Sequence, residues 1–312
     1  MKLQSIRAAS VALGLVSVGV AHAAPSLHLP LHKAIKAVQS ASDEDQQPFS
    51  WTSPNAIQAG LVTRGISISG GDTYATYQGR SFESKEALVK AAVSDQFQLY
   101  YGRHFTLAKG RSSTSRFHGD DSILGGRYVI KRPTGEDPTA WSVQFESVRP
   151  STAEFNSGAN TELLAGTKNN LFAVDYLDVN KNNLQLGYSA IDAPGGLNAR
   201  AITFGVGHDF DLGSNILSRL EATLVGQSFI GATESSKFEL KPVVSGYVGY
   251  RATSWLNLEG SVTAMPSGMP FSSGDFTGVS SFAIYTPGGI VNDLRSKFLA
   301  FGTLRLVGHW SF

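Results

Sequence analysis

Apolar and polar residues alternate along most of the chain from Asp95 onward. Phe97, Leu99, Tyr101, Phe105 and Leu107 share one parity, as do Trp141, Val143 and Phe145. The pattern repeats in Phe172, Val174 and Tyr176, and again in Leu184, Leu186, Tyr188 and Ala190. It continues through Ile202, Phe204, Val206 and Phe210, through Leu220, Ala222 and Leu224, and through Phe238, Leu240, Val244, Val248 and Tyr250. The last sets are Leu256, Leu258, Val262 and Ala264, then Phe298, Ala300, Leu304, Leu306, Trp310 and Phe312. A period of two puts each set on one face of a strand. Several runs exceed the ~5–6 residues of an ordinary strand and match the ~9–11 that cross a bilayer at a tilt.

The opposite parity carries charge: Arg127, Lys131, Glu146, Asp175, Arg219, Glu221, Glu239, Lys241, Arg251, Glu259 and Arg305. Turn lengths alternate as well. Short connections at 132–137, 180–183, 212–215 and 252–254 lie between longer ones at 109–123, 150–167, 192–197, 231–236 and 266–296. Apolar outside, polar inside, with turns short at one end and long at the other, is the pattern of a transmembrane antiparallel up-and-down β-barrel. Residues 95–312 are therefore expected to form a barrel of about ten strands, or twelve if residues 56–80 join the wall. The segment 279–285 is expected within the last loop, because one added strand would break the up-down parity.

Upstream, residues 24–94 read as a periplasmic N-terminal segment. Residues 56–80 suggest a short hairpin around the turn signal Ser69-Gly70-Gly71-Asp72. Residues 83–93 (ESKEALVKAAV) are good helix formers, with Leu88, Ala91 and Ala92 near one face, and a second short helix is expected from about Leu31 to Ser40. Gly65, Gly70, Gly71, Gly125, Gly126, Gly195, Gly196, Gly288 and Gly289 read as turn glycines. At the start, Lys2 and Arg7 precede an apolar stretch from Ala8 to Val20 and the small-x-small pattern Ala21-His22-Ala23. Residues 1–23 thus read as a cleaved signal peptide.

Composition narrows the partners. The formal net charge is +1, and removing Lys2 and Arg7 with residues 1–23 leaves 24 basic against 25 acidic residues, a net of −1. No basic excess marks a nucleic-acid partner. Zero cysteines exclude a disulfide framework, a thiolate metal site and a cysteine nucleophile. No zinc-helix, phosphate-loop or calcium-loop motif occurs, so neither a metal nor a cofactor is expected.

The chain ends Leu304-Arg305-Leu306-Val307-Gly308-His309-Trp310-Ser311-Phe312, an alternating strand closed by a terminal Phe. Through Leu304, Leu306, Trp310 and Phe312 this resembles the C-terminal assembly signal of bacterial outer-membrane β-barrel proteins. The resemblance covers the signal peptide, the strand and turn pattern and this last strand. It implies the outer membrane as location, the barrel-assembly machinery as a partner during biogenesis, and outer-membrane lipid and lipopolysaccharide as surroundings.

Six basic and five acidic inward charges in a narrow lumen call for cross-pairing, since unpaired charge there is costly. That favours a structural or surface-interaction barrel over an open pore. A narrow channel or small-solute transporter is the alternative, and a rim hydrolase of the omptin or phospholipase kind is the third. For hydrolysis the candidates are His118, Asp120 and Asp121 in the first long loop; His208, next to Asp209, falls near the periplasmic end on the lipid-facing parity. Arg103 breaks the pattern, since it shares the outward parity of Phe97 to Leu107. A bulge at Gly102, or a position high enough to snorkel, would reconcile it.

Overall fold

A computed structural model describes residues 62–77, 80–109, 116–156, 161–163, 168–192, 198–213, 215–230, 238–267 and 298–311. The expected signal peptide, the helix near 31–40, the segment 279–285, Gly195, Gly196, Gly288, Gly289 and Phe312 lie outside the described residues. Thirteen strands follow in order: β1 (Gly65–Tyr77), β2 (Arg80–Ala92), β3 (Phe97–Lys109), β4 (Arg116–Lys131), β5 (Ala140–Asn156), β6 (Thr161–Leu163) and β7 (Lys168–Leu177). The series continues with β8 (Asn182–Asp192), β9 (Asn198–Gly213), β10 (Ile216–Ile230), β11 (Phe238–Arg251), β12 (Leu256–Met265) and β13 (Leu299–Trp310). Among the described residues there is no helix.

Each strand pairs antiparallel with its neighbours, and the sheet closes because β1 pairs with both β2 and β13 while β4 pairs with β5. The result is a twelve-stranded barrel, with β6 added to β5 outside the ring. Closure leaves the wall no open edge, which is what allows a sheet to sit in lipid. At the seam, Gly65 (φ 144°) lies against the end of β13, where a Cβ would meet the Trp310 carbonyl oxygen at 2.3 Å. Only glycine fits that approach without strain.

The wall includes two strands more than the ten-strand reading, and both come from upstream of Asp95. The expected turn at Ser69–Asp72 is the middle of β1, paired on both sides. The expected helix at 83–93 is strand β2, in unbroken register with β1 and β3. Helix propensity yields here because each β2 backbone group gains a partner on two neighbouring strands. The long loops expected at 109–123 and 150–167 are also largely strand. β4 pairs with β3 from Arg116 onward and with β5 as far as Arg116↔Asn156. Polar side chains did not prevent this, because strand pairing is made by the backbone.

The two faces of the wall divide as the alternation requires. Leu240 is 56% exposed and its neighbour Lys241 only 7%. Ile202, Phe204, Leu220, Leu304 and Leu306 are exposed on the outer face, while Arg219, Glu221, Glu259 and Arg305 are buried inside. At the short-turn end the outer face carries aromatic rings. Trp141 lies 4.5 Å from Tyr176, and Trp255 stacks on Trp310 at 6.4 Å, as an interfacial girdle does. The turn between β7 and β8 is held by Asp178, whose carboxylate accepts the Asn180 and Asn182 amides at 2.8 Å each, with Lys181 at φ 63°.

Candidate functional site

The barrel interior is where the chain concentrates its chemistry, and glycines on the inner face organise it. One row runs sideways through five strands in direct register: Glu259, Arg305, Gly71, Glu86, His104 and then Asp121 on a sixth. Gly71 has no side chain, so Arg305 from β13 and Glu86 from β2 meet across β1. A Cβ at Gly71 would lie 2.8 Å from Arg305 Cγ and 3.1 Å from Glu86 Cγ. The guanidinium donates to Glu86 through Nε, and through its second amine at 3.3 Å, while His104 Nε2 sits 3.2 Å from the same carboxylate.

A second crossing uses Gly125. The Tyr100 ring lies flat over it and donates its hydroxyl to Glu146 at 3.0 Å, with Gln144 donating back to the hydroxyl at 3.1 Å. Around it Arg127 donates to Gln144 at 2.7 Å and stands 3.7 Å from Asp175, which also accepts from Gln185 at 2.9 Å. On the far side, Glu221 passes over Gly207. Arg219 clasps Asp209 with two hydrogen bonds of 2.6 Å and reaches Glu221 at 3.3 Å. Bidentate pairing of this kind is the strong form of an ion pair. Gly65, Gly70, Gly71, Gly125 and Gly126 thus lie in strands instead of turns, and at Gly71 and Gly125 the missing side chain is what the crossing needs.

Of the eleven inward charges named from the sequence, Arg127, Glu146, Asp175, Arg219, Glu221, Lys241, Glu259 and Arg305 are buried. Three sit near strand ends. Lys131 follows a register shift in β4 and pairs with Asp137 beyond the wall. Its hydrogen bond, with those from Thr139, holds the Asp137 carboxyl down at about 2. Glu239 is partly exposed, 3.5 Å from Lys241 and accepting from Gln227 at 3.1 Å. Arg251 ends β11. The charges of β10 and β11 form separate groups instead of one ladder, because Glu221 faces Ser245 and Glu239 faces Gln227.

Glu86, Lys90, His104, Asp121 and Asp209 were missed as interior groups. Glu86 and Lys90 share a parity with Ser84, Leu88 and Ala92, so a period of two was present in β2, but its helix-forming composition concealed it. The hydrolase candidates do not converge. Asp120 and Asp121 are consecutive strand residues on opposite faces: Asp121 is buried opposite His104, and Asp120 pairs with Arg103 on the outer face. His118 is on β4, and its side chain lies outside the described residues. His208 is half-buried near the short-turn end, 2.8 Å from Asn182. Arg103 keeps its outward parity with no bulge in β3, neutralised by Asp120 and lying 5.3 Å from the Phe105 ring. Leu304, Leu306 and Trp310 of the terminal strand face outward.

No family model matches the sequence, and no curated protein matches it. Among solved structures, an outer-membrane channel from Pseudomonas putida F1 is similar at 10% identity and a TM-score of 0.54, covering 83% of this chain and 100% of its own. This chain has the fold of an outer-membrane β-barrel. The KdgM porin (9% identity, TM-score 0.43, covering 79% of this chain and 99% of its own) shares less of the geometry. So does the translocator domain of the autotransporter NalP from Neisseria meningitidis, at 9% identity and a TM-score of 0.44, covering 90% of this chain and 95% of its own.

Proposed function

We propose that the protein is an integral outer-membrane barrel, exported by a cleaved signal peptide, whose lumen is held closed by its own side chains. Its role is structural or interactive at the cell surface. One observation carries this reading: the inner face is buried along the described strands, with Asp175 at 0%, Glu146 at 2% and Arg305 at 2% exposure. Residues lining an open aqueous pore would be wet. Arg127, Glu146, Asp175, Arg219, Glu221, Lys241, Glu259 and Arg305 then act as rungs that hold the strands together across the lumen. Lys131, Glu239 and Arg251 finish the rungs at the ends.

In this reading outer-membrane lipid and lipopolysaccharide surround the outer face, and Leu304, Leu306, Trp310 and Phe312 serve the barrel-assembly machinery. Surface work falls to the long-loop end. There β4 and β5 run on past the last β5–β7 pair, Val148↔Asn169, and β6 widens the extension. A narrow channel is the second reading, favoured by an inner wall lined with charges of both signs and by the likeness to a channel of the same fold. Conductance in a planar bilayer separates the two. The intact protein is expected to show no steady open level, and a stable, reproducible open level would overturn the closed-lumen reading.

A further inference from the structure

We propose that the outer face of β1 to β5 is the interface between two copies of this protein, docked side by side about a two-fold axis along the membrane normal. This face differs from the rest of the wall. Toward the long-loop end Asp72, Glu83, Lys85, Arg103, Asp120 and Arg149 lie outside, where β9 to β11 present Ile202, Phe204, Leu224 and Val244. The charges begin within the apolar band and not beyond it. Asp72 stands between exposed Ile68 and Tyr74 on β1, and Arg103 between exposed Tyr101 and Phe105 on β3. Charged groups against hydrocarbon are unfavourable, so a neighbour that offers them polar partners is favoured over lipid tails.

The charges are arranged by sign. On β1 and β2, Lys85 is shared by Asp72 at 3.0 Å and Glu83 at 2.8 Å, one cation between two carboxylates. On β3 and β4, Arg103 and Asp120 neutralise one another. On β5, Arg149 is exposed, and its guanidinium forms no ion pair with a described residue, while its carbonyl accepts the Ser122 hydroxyl at 3.1 Å. Among the described side chains this part of the face is therefore negative at β1 and β2, neutral at β3 and β4, and positive at β5.

That order selects a second copy as the partner. Two identical walls meeting about an axis along the membrane normal run their strands past one another in opposite order. The negative β1–β2 group of one copy then faces Arg149 of the other, twice over, and the Arg103–Asp120 pairs meet head to tail near the axis. A self-complementary contact of this kind closes as a dimer, and opposed signs fix its register. Both copies sit at one depth in the bilayer, which brings the two charged belts level. A lipopolysaccharide phosphate, by contrast, would meet three carboxylates for three cations. The contact rests on the membrane-embedded reading of the outer face and is independent of whether the lumen is closed. It is reversible, so in vesicles dilute in protein the same face meets lipid.

The interface is tested on the full-length protein in reconstituted vesicles, by cross-linking with a short bis-maleimide at a series of protein densities. Phe105→Cys, close to the axis, is expected to give a cross-linked dimer whose yield rises with density and saturates. Leu240→Cys, on β11, should give none. In the Phe105→Cys background, Arg149→Glu and Glu83→Arg should each raise the half-saturating density by about tenfold or more. The two together should bring it back, because the opposed charges are exchanged across the axis. No recovery in the double variant would contradict the pairing of Arg149 with the β1–β2 group. Should a charge variant fail to fold, the two cysteines decide, and equal yields from Phe105→Cys and Leu240→Cys overturn the interface. A Phe105→Cys protein that stays monomeric and retains lipopolysaccharide, lost on Arg149→Glu, would show that lipid covers this face instead of a second copy.

Discussion

The arc of wall from β9 to β13 and the arc from β2 to β5 are built to the same backbone plan, yet they use side chains differently. In the first, the outer face is apolar at mid-wall through Leu220, Leu224, Leu240, Val244, Leu258 and Leu304. Its inner face holds the charges, with Arg219, Glu221, Lys241, Glu259 and Arg305 buried among Thr203, Gln227 and Thr263 and the apolar Val225, Val243, Tyr247 and Phe301. In the second, charge appears on both sides, with Glu86 and Lys90 buried inside. Leu88, Tyr100, Ile123 and Val148 form an apolar cluster inside, while Lys85 and the Arg103–Asp120 pair lie outside. Closure of the hydrogen-bonded ring is therefore what the two arcs share, and binary patterning is what varies. A strand in the second arc is held by its neighbours even where its own pattern is blurred.

The largest expected effect tests whether the two arcs depend on one another. Arg305 of the first arc reaches across Gly71 to Glu86 of the second. Arg305→Met should cost about 3–5 kcal/mol of unfolding free energy in urea, the range for stripping one partner from a buried pair. Leu306→Met, one residue along and facing outward, should cost far less. Equal losses would mean that the inner ion pairs do not couple the arcs.

A smaller effect separates the arcs by their glycines. Gly125→Ala would put a Cβ 2.1 Å from Tyr100 Cζ, so the ring must leave its seat and surrender its hydrogen bond to Glu146. A loss of about 1–3 kcal/mol is expected. Gly246→Ala and Gly260→Ala meet no atom within 4 Å, and should be neutral or stabilising by about 0.4–1 kcal/mol. A Gly125→Ala protein as stable as these two would show that the Tyr100 crossing contributes nothing.

The same contrast explains what could be read from the chain. Strands β7 to β13 were legible because each carries an apolar outer set and keeps its mid-wall charges on the inner face, as in Leu240 and Val244 against Lys241 and Ser245. β2 was not, because Lys85 sits on its outer face and Leu88 on its inner one, and its Lys, Glu, Ala and Leu content favours a helix in isolation. β1 was hidden by Gly70 and Gly71, which resemble a turn when the residues that cross over Gly71 lie some 15 and 234 positions further along the sequence. Eight of the buried interior charges were found because they lie on legible strands; Glu86 and Lys90 were lost with β2, and no local signal marks the convergence of Arg305 and Glu86. The opposed faces of Asp120 and Asp121 follow only once the run is known to be strand and not loop.

The placement of β2 in the barrel wall is the most direct point of test, and the absence of native cysteine makes it accessible. Single cysteines replacing Ala87, Val89 and Ala91, one at a time, should react with a lipid-soluble maleimide in reconstituted vesicles. Those replacing Ser84, Leu88 and Ala92 should be protected, with Leu240→Cys and Val243→Cys as the reactive and protected references on β11. Reactivity recurring at every third or fourth residue of 83–93 would restore a helix outside a ten-stranded wall. Uniform reactivity with a water-soluble maleimide would contradict the twelve-stranded barrel outright.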